Sequence, residues 1–181
     1  MKVSCHFLNL LFPLVFFCLF LHSHAISLKT RSVISSVRAT ELQRFLATTE
    51  NWPKIVASSV AVETTTPSLP LTVGAKVDEV FGLPPLLPLR VRWVCEKNDE
   101  SEGALSVVSE KGLSGIARDC RMDFIIREAE VGGSASVELT MTYTPSSPIA
   151  LLAVPALILD NAFALKVLLP RVIAREREII Y

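Results

Sequence analysis

Hydrophobic and polar residues alternate in several short segments through the middle of the chain. The clearest segments are residues 89–96, 116–127 and 137–143, and weaker ones are residues 32–38, 58–63, 74–81 and 104–109. A period of two predicts β-strands with one buried face and one solvent-facing face. Because turn residues separate the segments, we expect an antiparallel sheet whose strands follow one another along the chain.

The C-terminal stretch, residues 145–181, follows a different pattern and is almost free of charge between residues 149 and 169. Wound as an α-helix, it places an apolar face opposite a more polar one. The apolar face would contain Leu151, Ile158, Ala162, Leu165, Leu169 and Ile173, and the polar face Asp160, Asn161, Arg171, Arg175 and Glu178. Pro155 either starts or bends this helix, and Pro170 is expected to kink or split it.

A membrane span is the alternative for this stretch, because about 20 apolar residues would cross a bilayer. Asp160 and Lys166 lie near its middle, and each would cost roughly 2.5–3.5 kcal/mol to insert. A helix packed against the sheet is therefore the favoured interpretation.

The order of the predicted elements indicates the fold class. A first strand is followed by a short amphipathic helix with a capping box at residues 40–43, then by the antiparallel strands and the long helix. Strands followed by a segregated helix are typical of the α+β class. We expect a curved antiparallel sheet wrapped around the long C-terminal helix.

Residues 1–25 have the pattern of a secretory signal peptide, which leaves residues 26–181 as a single domain. Lys2 supplies the positive start, residues 7–21 the apolar core and residues 23–25 a cleavage site. This pattern predicts the secretory pathway, with the protein secreted or lumenal. A plastid reached through a bipartite leader is the alternative, because no Asp or Glu precedes Glu41 and hydroxylated and basic residues follow the apolar run.

Composition limits the chemistry that the domain can perform. All three histidines lie in the predicted leader, which excludes a histidine-dependent triad and a zinc site of mixed His and Cys ligands. Lys plus Arg and Asp plus Glu each number 18, so the net charge does not indicate nucleic-acid binding. No phosphate loop, nucleophile elbow or metal-ligand cluster is recognisable, and no cofactor is expected. Cys95 and Cys120 are expected to be buried free thiols.

A curved sheet and a helix need not match in shape, so we expect a space between them. Its predicted lining is Trp93, Met122, Phe124, Met141 and Tyr143 on the sheet and Ile158, Leu165 and Leu169 on the helix. Arg118 shares the predicted inward register of Cys120 and is the candidate for meeting a polar head group. This apolar lining suits a lipid-like or polycyclic guest. A solid core is the alternative, which periodicity cannot distinguish from a cavity.

Three stretches together resemble a known family: residues 50–53 at the exit of the short helix, the strand start at residues 73–77, and the terminal helix after Pro148. In their order they resemble the START-like, helix-grip superfamily (SRPBCC), which includes polyketide cyclase/dehydrase-type and coenzyme Q-binding proteins. The resemblance covers roughly residues 31 to 178. It implies binding or transport of a hydrophobic small molecule, such as a lipid, quinone or polyketide, between sheet and helix. The apolar segment 82–88 departs from the short hairpin that the family would have there.

Two other functions remain open: a cyclase or dehydratase, and an interaction protein that makes peripheral contact with a membrane. An enzyme would need an inward-facing acid or base, and the candidates are Asp78, Glu79, Asp119, Asp123 and Tyr143. Glu79 interrupts the alternation of its strand, whereas Asp119 and Asp123 are expected to face solvent. Because catalytic groups are few, a non-catalytic carrier is the favoured function.

Overall fold

The computed structural model describes residues 24–64, 69–83, 86–130 and 132–180. All but two residues of the predicted signal peptide lie outside these ranges. The described residues form a seven-stranded antiparallel sheet. Its strands are β1 (Ile26–Ser35), β2 (Ser59–Thr64), β3 (Lys76–Leu83), β4 (Leu86–Asp99), β5 (Ala104–Ser109), β6 (Ala117–Glu128) and β7 (Ser134–Pro145). Their spatial order is β1-β7-β6-β5-β4-β3-β2, so β1 and β2 are the two edge strands.

Two short helices connect the edge strands: α1 (Ala39–Ala47) and α2 (Trp52–Ile55), with a 3₁₀ turn (Thr49–Asn51) between them. Helix α1 begins before the predicted capping box, because the Glu41 carboxylate accepts the backbone N–H of Arg38 at 3.2 Å. Trp52 anchors the connection by donating its indole N–H to the Leu46 carbonyl at 2.8 Å. Its side chain is buried, as expected for a packing residue.

The C-terminal region consists of α3 (Pro148–Leu152), α4 (Val154–Phe163), a π-helical turn (Ala164–Leu168) and α5 (Leu169–Ile180). Pro155 lies in the first turn of α4 and therefore starts that helix. Pro170 lies in the first turn of α5, directly after the π-turn, in which Leu169 donates its N–H to the Ala164 carbonyl. Because the π-turn changes the hydrogen-bond pattern ahead of Pro170, the chain remains helical through the proline.

The predicted architecture is confirmed: the fold is α+β, with a curved antiparallel sheet around C-terminal helices. We call the sheet face that is turned toward the helices the inner face and the opposite one the outer face. At the end covered by α1, the core is solid, and Ile34, Leu42, Leu46, Leu105 and Val137 are each at most 1% exposed. Each such side chain contributes about 1.5–3 kcal/mol through burial.

Two further expectations concern segment 82–88 and a helix that spans a membrane. The apolar segment after Phe81 is mostly strand, because β3 extends to Leu83, β4 starts at Leu86, and these two residues are paired. The expected departure of segment 82–88 from a short hairpin is therefore wrong, because Leu83 and Leu86 are already paired. Among the described helices, none has the length and hydropathy needed to cross a membrane.

Candidate functional site

The inner face is not uniformly packed. Met122 on β6 is paired with Val107 on β5 and with Met141 on β7, so all three side chains point to the same face. Val107 is fully buried, whereas Met122 and Met141 are only half-buried. Phe124 and Cys120, on the same face of β6, are also half-buried. Apolar side chains that face the helices yet remain accessible indicate room beside them.

Seven of the nine predicted lining residues face the interior. Trp93, Tyr143, Leu165 and Leu169 are buried, with exposures of 3%, 4%, 2% and 0%, and Met122, Phe124 and Met141 are half-buried. The position of Trp93, Tyr143 and the three apolar residues of β6 and β7 follows from the alternation in their strands.

Arg118 faces outward, and the expectation that it shares the register of Cys120 is wrong. Asp119 has a positive φ of 52°, and the pairing of β6 with β7 shifts between Arg118 and Arg121. This β-bulge adds one residue to β6, so Ala117 and Cys120 both face inward although they are three positions apart. The Arg118 side chain is 65% exposed and lies 3.7 Å from the Asp119 carboxylate.

Ile158 also faces away from the interior, with 48% of its surface exposed. The preceding residue, Leu157, packs on a buried cluster of Leu28, Ala117, Tyr143 and Ala150. Because successive residues are about 100° apart around a helix, Ile158 points away from that cluster. The buried positions on this side are instead Asn161, Ala164 and Leu165. Asn161 was expected on the polar face, so the predicted orientation of α4 was wrong by about one residue.

The C-terminal helices approach the sheet mainly along one edge. Helix α4 and the π-turn pack near β1, and α5 packs near α2 and β1. Two surface pockets among the described residues lie away from the inner face. The larger is an open depression of about 590 Å³ at the ends of β1 and β7 beside Arg177. The smaller, about 80 Å³, lies among outer-face residues of β1, β6 and β7.

A buried carboxyl group is the most unusual feature of the inner face. Glu79 on β3 is paired with Val62 on β2 and Val91 on β4 and is 1% exposed. Its Oε2 accepts a 2.8 Å hydrogen bond from the indole N–H of Trp93. Burial raises the pKa of Glu79 to about 7; the Ser59 hydroxyl and the Trp93 indole lower it, and the charge of Asp160 raises it. Glu79 can therefore exchange a proton near neutral pH.

Helix α4 contributes polar groups above the same strands. Asp160 accepts a 2.6 Å hydrogen bond from the Ser58 hydroxyl, which joins the helix to the start of β2. The next residue, Asn161, is 8% exposed, and its Nδ2 has no hydrogen-bond partner among the described residues. Ser59 is 7% exposed, and its hydroxyl lies close enough to Glu79 to lower the pKa of that carboxyl group. We call Glu79, Trp93, Ser59, Asp160 and Asn161 the buried polar cluster.

The other predicted chemical groups have ordinary environments. Tyr143 donates its hydroxyl to the Ala150 carbonyl at 3.2 Å, and burial raises its pKa. Burial and the nearby Asp119 charge raise the pKa of the Cys120 thiol to about 11, so it stays protonated. Cys95 and Cys120 are free thiols, as expected, but only Cys95 is buried, whereas Cys120 is half-buried. Within the described residues, no three His, Cys, Asp or Glu side chains are grouped so as to hold a metal ion.

The outer-face carboxylates are paired with arginines. Asp78 accepts two 2.7 Å hydrogen bonds from Arg92, and this pairing lowers the pKa of Asp78. Asp123 accepts hydrogen bonds from Arg121 and from the Ser106 hydroxyl. These groups therefore belong to the solvent-facing surface, as expected for Asp123.

Sequence reasoning named Glu79 as a candidate but did not identify its partners. Its signal was the interruption in β3, where a charged residue occupies the inward position between Val77 and Phe81. Ser59 and Asn161 gave no signal, because a single polar residue at the start of a strand or within a helix is common. Which side chains of α4 come to lie above Ser59 depends on the rotation of that helix about its axis.

The sequence matches no protein-family model, and no curated protein matches it either. Solved structures with a similar fold were found. A Thermus thermophilus protein superposes with a TM-score of 0.65 and 16% identity, covering 83% of this chain and 99% of its own. Norcoclaurine synthase from Thalictrum flavum, in complex with dopamine and hydroxybenzaldehyde, superposes with a TM-score of 0.61 and 9% identity. The match covers 86% of this chain and 91% of the synthase chain.

An aromatase/cyclase from a Streptomyces species, Zhui, is also similar in fold. Its TM-score is 0.56 at 11% identity, and the match covers 68% of this chain and 70% of the other. At such low identities the similarity concerns the arrangement of sheet and helices. The chemistry of each site has to be argued from its own residues.

Proposed function

The chain has the START-like helix-grip fold, and from this premise we propose that it binds a hydrophobic small molecule between the sheet and the C-terminal helices. The favoured role is that of a non-catalytic carrier for a lipid-like, quinone-like or polycyclic molecule. No cofactor is part of this proposal.

The observation that carries the proposal is the accessibility of apolar side chains on the inner face. Met122, Phe124 and Met141 point toward the helices but are only half-buried, while Leu105 and Val107 beside them are fully buried. A solid core would bury all five equally. The accessible surface lies on β6 and β7, where an apolar guest would gain about 25 cal/mol per Å² of surface covered.

The similar structures support the same proposal. One was solved with dopamine and hydroxybenzaldehyde, and another is an aromatase/cyclase, so this fold accommodates small aromatic molecules in other proteins. A carrier is favoured here over an enzyme because Tyr143 and the Cys120 thiol have no activating partner. Cyclase or dehydratase activity would depend on Glu79 and would be lost on Glu79→Gln.

Native mass spectrometry of the purified protein tests the proposal. The protein is prepared without detergent and then exposed to a panel of fatty alcohols, quinones and polycyclic phenols. We expect a bound molecule of defined mass, or saturable uptake of one panel member at a one-to-one ratio. A protein that carries no guest and takes up none would contradict the carrier function.

A second candidate function, contact with an anionic membrane surface, is favoured by an exposed apolar stripe on the C-terminal helices. The stripe consists of Ile149, Leu152, Leu159 and Phe163, which are 60%, 80%, 70% and 44% exposed. Farther along the same helical region, Lys166, Arg171 and Arg175 are exposed, and none of them forms an ion pair with another described residue. Apolar residues followed by basic ones are typical of helices that lie in the headgroup layer of anionic lipids.

For the leader, we propose targeting to the secretory pathway, with the plastid as the alternative destination. The support is the charge and hydropathy pattern of residues 1–25. Fusing residues 1–40 to a fluorescent protein tests this proposal. Fluorescence in the secretory system is expected, and fluorescence in the cytosol would contradict it.

A further inference from the structure

We propose that the ligand carries a hydrogen-bond-donating group, preferentially a primary ammonium, and that this group docks on the buried polar cluster at Glu79. This inference rests on the proposed binding function and specifies one end of the molecule that is bound. The ligand class is therefore an amphiphilic amine with an apolar body, rather than a fatty acid or a wholly apolar molecule.

The first support is the position of Glu79 within an apolar environment. Its carboxyl group is 1% exposed on the inner face, with Val77 and Phe81 at the neighbouring inward positions of β3. Phe81 is only half-buried. The carboxyl group thus lies at the edge of accessible apolar surface, where the body of an amphiphile would be covered.

The second support is the lack of a cationic partner. The Trp93 indole, a neutral group, donates to Oε2 of Glu79, and Asp160 is bonded to the Ser58 hydroxyl. Among the described residues, neither carboxyl group has a Lys or Arg nitrogen within ion-pair distance. On the outer face, by contrast, Asp78 is bonded to Arg92 at 2.7 Å. A buried carboxyl group without a cation favours a ligand that supplies one.

The third support is an unpartnered polar atom on the helix. Asn161 Nδ2 is buried and, within the described chain, has no hydrogen-bond partner. Leaving such an atom unpaired costs about 1–3 kcal/mol. Asn161 lies on the inward side of α4 next to Asp160, and Ser59 lies beside the Glu79 carboxyl. The helix side of the cluster therefore has unused hydrogen-bonding capacity, beside the carboxyl group on the sheet.

The charge of the cluster also defines what it rejects. A ligand carboxylate would face Glu79 and Asp160 in a poorly solvated space, where like charges repel strongly. An ammonium group would be attracted by both carboxyl groups, and a hydroxyl could donate one hydrogen bond without electrostatic gain. The expected order of affinity is therefore amine, then alcohol, then carboxylate.

Three probes with the same apolar body test this order: decylamine, decanol and decanoate. The amine and the carboxylate are titrated below their critical micelle concentrations and decanol below its solubility limit, into the purified protein at neutral pH. Binding is measured by calorimetry and by tryptophan emission. We expect decylamine to bind about tenfold more tightly than decanol, as a charge-assisted hydrogen bond predicts, and decanoate to bind most weakly. Equal affinities for the three probes, or a preference for decanoate, would overturn the inference, and the wild-type protein is sufficient for this test.

The variant Glu79→Gln keeps the shape of the side chain and removes its charge. We expect it to lose the roughly tenfold preference for decylamine while its affinity for decanol changes less than about twofold. The matched control is Asp78→Asn, which removes a carboxylate from the next residue of β3 on the outer face and should leave all three affinities unchanged. A preference for decylamine that persists in Glu79→Gln would contradict the docking position.

The outcomes separate this inference from the proposed function. If decanol binds and the preference for the amine is absent, the carrier function stands and the inference fails. If none of the three probes binds, the inference fails, whereas the carrier function fails only if the panel of fatty alcohols, quinones and polycyclic phenols also gives no bound guest. Circular dichroism of both variants confirms that they are folded before the affinities are compared.

Discussion

The indole N–H of Trp93 donates a 2.8 Å hydrogen bond to Oε2 of Glu79, and both side chains are almost completely buried. The two residues lie on neighbouring strands, β4 and β3, with Trp93 directly opposite Val77 and therefore diagonal to Glu79. A tryptophan that the sequence indicates as part of an apolar wall thus provides the polar contact that stabilises a carboxyl group inside the domain.

The first prediction concerns this hydrogen bond. Trp93→Phe keeps an aromatic ring but removes the donor, so we expect the free energy of unfolding to fall by about 1–3 kcal/mol. Urea denaturation at pH 8, where Glu79 is mostly charged, measures the loss. In a Glu79→Gln background the same substitution should cost less, because the charged acceptor is gone. An equal loss in both backgrounds would mean that the ring's packing, not the hydrogen bond, is what matters.

The second prediction concerns pH. Burial raises the pKa of Glu79 to about 7, whereas in the unfolded chain it has the ordinary value of about 4.3. Between these values the folded state binds the additional proton, so stability is highest below the lower pKa and decreases as the pH rises toward 7. The contribution of Glu79 to the decrease is on the order of 3 kcal/mol.

Denaturation of the wild-type protein and of Glu79→Gln between pH 4.5 and 8 measures this effect. The other ionisable groups are common to both proteins, so the difference between the two stability curves isolates the buried carboxyl group. We expect the variant to become the more stable protein as the pH rises, because it carries no buried charge. A difference between the curves that does not change with pH would show that Glu79 titrates normally.

A third prediction distinguishes a cavity from a solid core. Met122→Trp places a larger side chain on the half-buried part of the inner face. If there is room, stability should change by less than about 1 kcal/mol, whereas overpacking a solid core typically costs about 1–3 kcal/mol. The uncharged dye Nile red reports occupancy of the space, and its fluorescence in the presence of the protein should fall in the variant.

The control for this experiment is Ile125→Trp. Ile125 is on the same strand, points to the outer face and is 38% exposed. The substitution adds the same indole ring without reaching the interior, so Nile red binding should remain at the wild-type level. Loss of dye binding in both variants would indicate that the dye binds to the surface.

The fourth prediction concerns the apolar stripe. Leu159→Glu introduces a charge at a position that is 70% exposed, and we expect binding to phosphatidylserine-containing vesicles to fall by at least tenfold, since burying a leucine is worth about 1.5–3 kcal/mol. Sedimentation with vesicles measures the bound fraction. Val33→Glu, at a 55% exposed position on the outer face of β1, is the control and should bind as the wild type does. If both bind equally, the stripe is not a membrane contact.

The arrangement of the sheet could be predicted because alternation is a local property of each strand. Val137, Leu139 and Tyr143 each occupy the inward positions that a period of two assigns to them. The long helix could be predicted in the same way, from a run of apolar residues that has to be covered. Leu165 and Leu169 are buried on that basis.

The errors arise where one residue is added to a regular repeat. The bulge at Asp119 turns Arg118 outward, and a periodic pattern contains no sign of it. Along the C-terminal region, the new start at Val154 and the π-turn after Phe163 change which side of each turn faces the sheet. Ile158 and Asn161 therefore exchange roles relative to the prediction. Such insertions depend on the neighbouring strand or helix, which the local sequence does not contain.

The connection between β1 and β2 has a consequence for how a guest would move. Because these strands lie at opposite edges of the sheet, α1 passes over the ends of β5, β6 and β7, and its buried Leu42 and Leu46 fill the space beneath it. If the proposed guest binds, its path would therefore lie at the other end, the one bordered by α3 and α4. A molecule would leave in the reverse of the orientation in which it arrived, so a membrane or partner positioned at that end would control both loading and release.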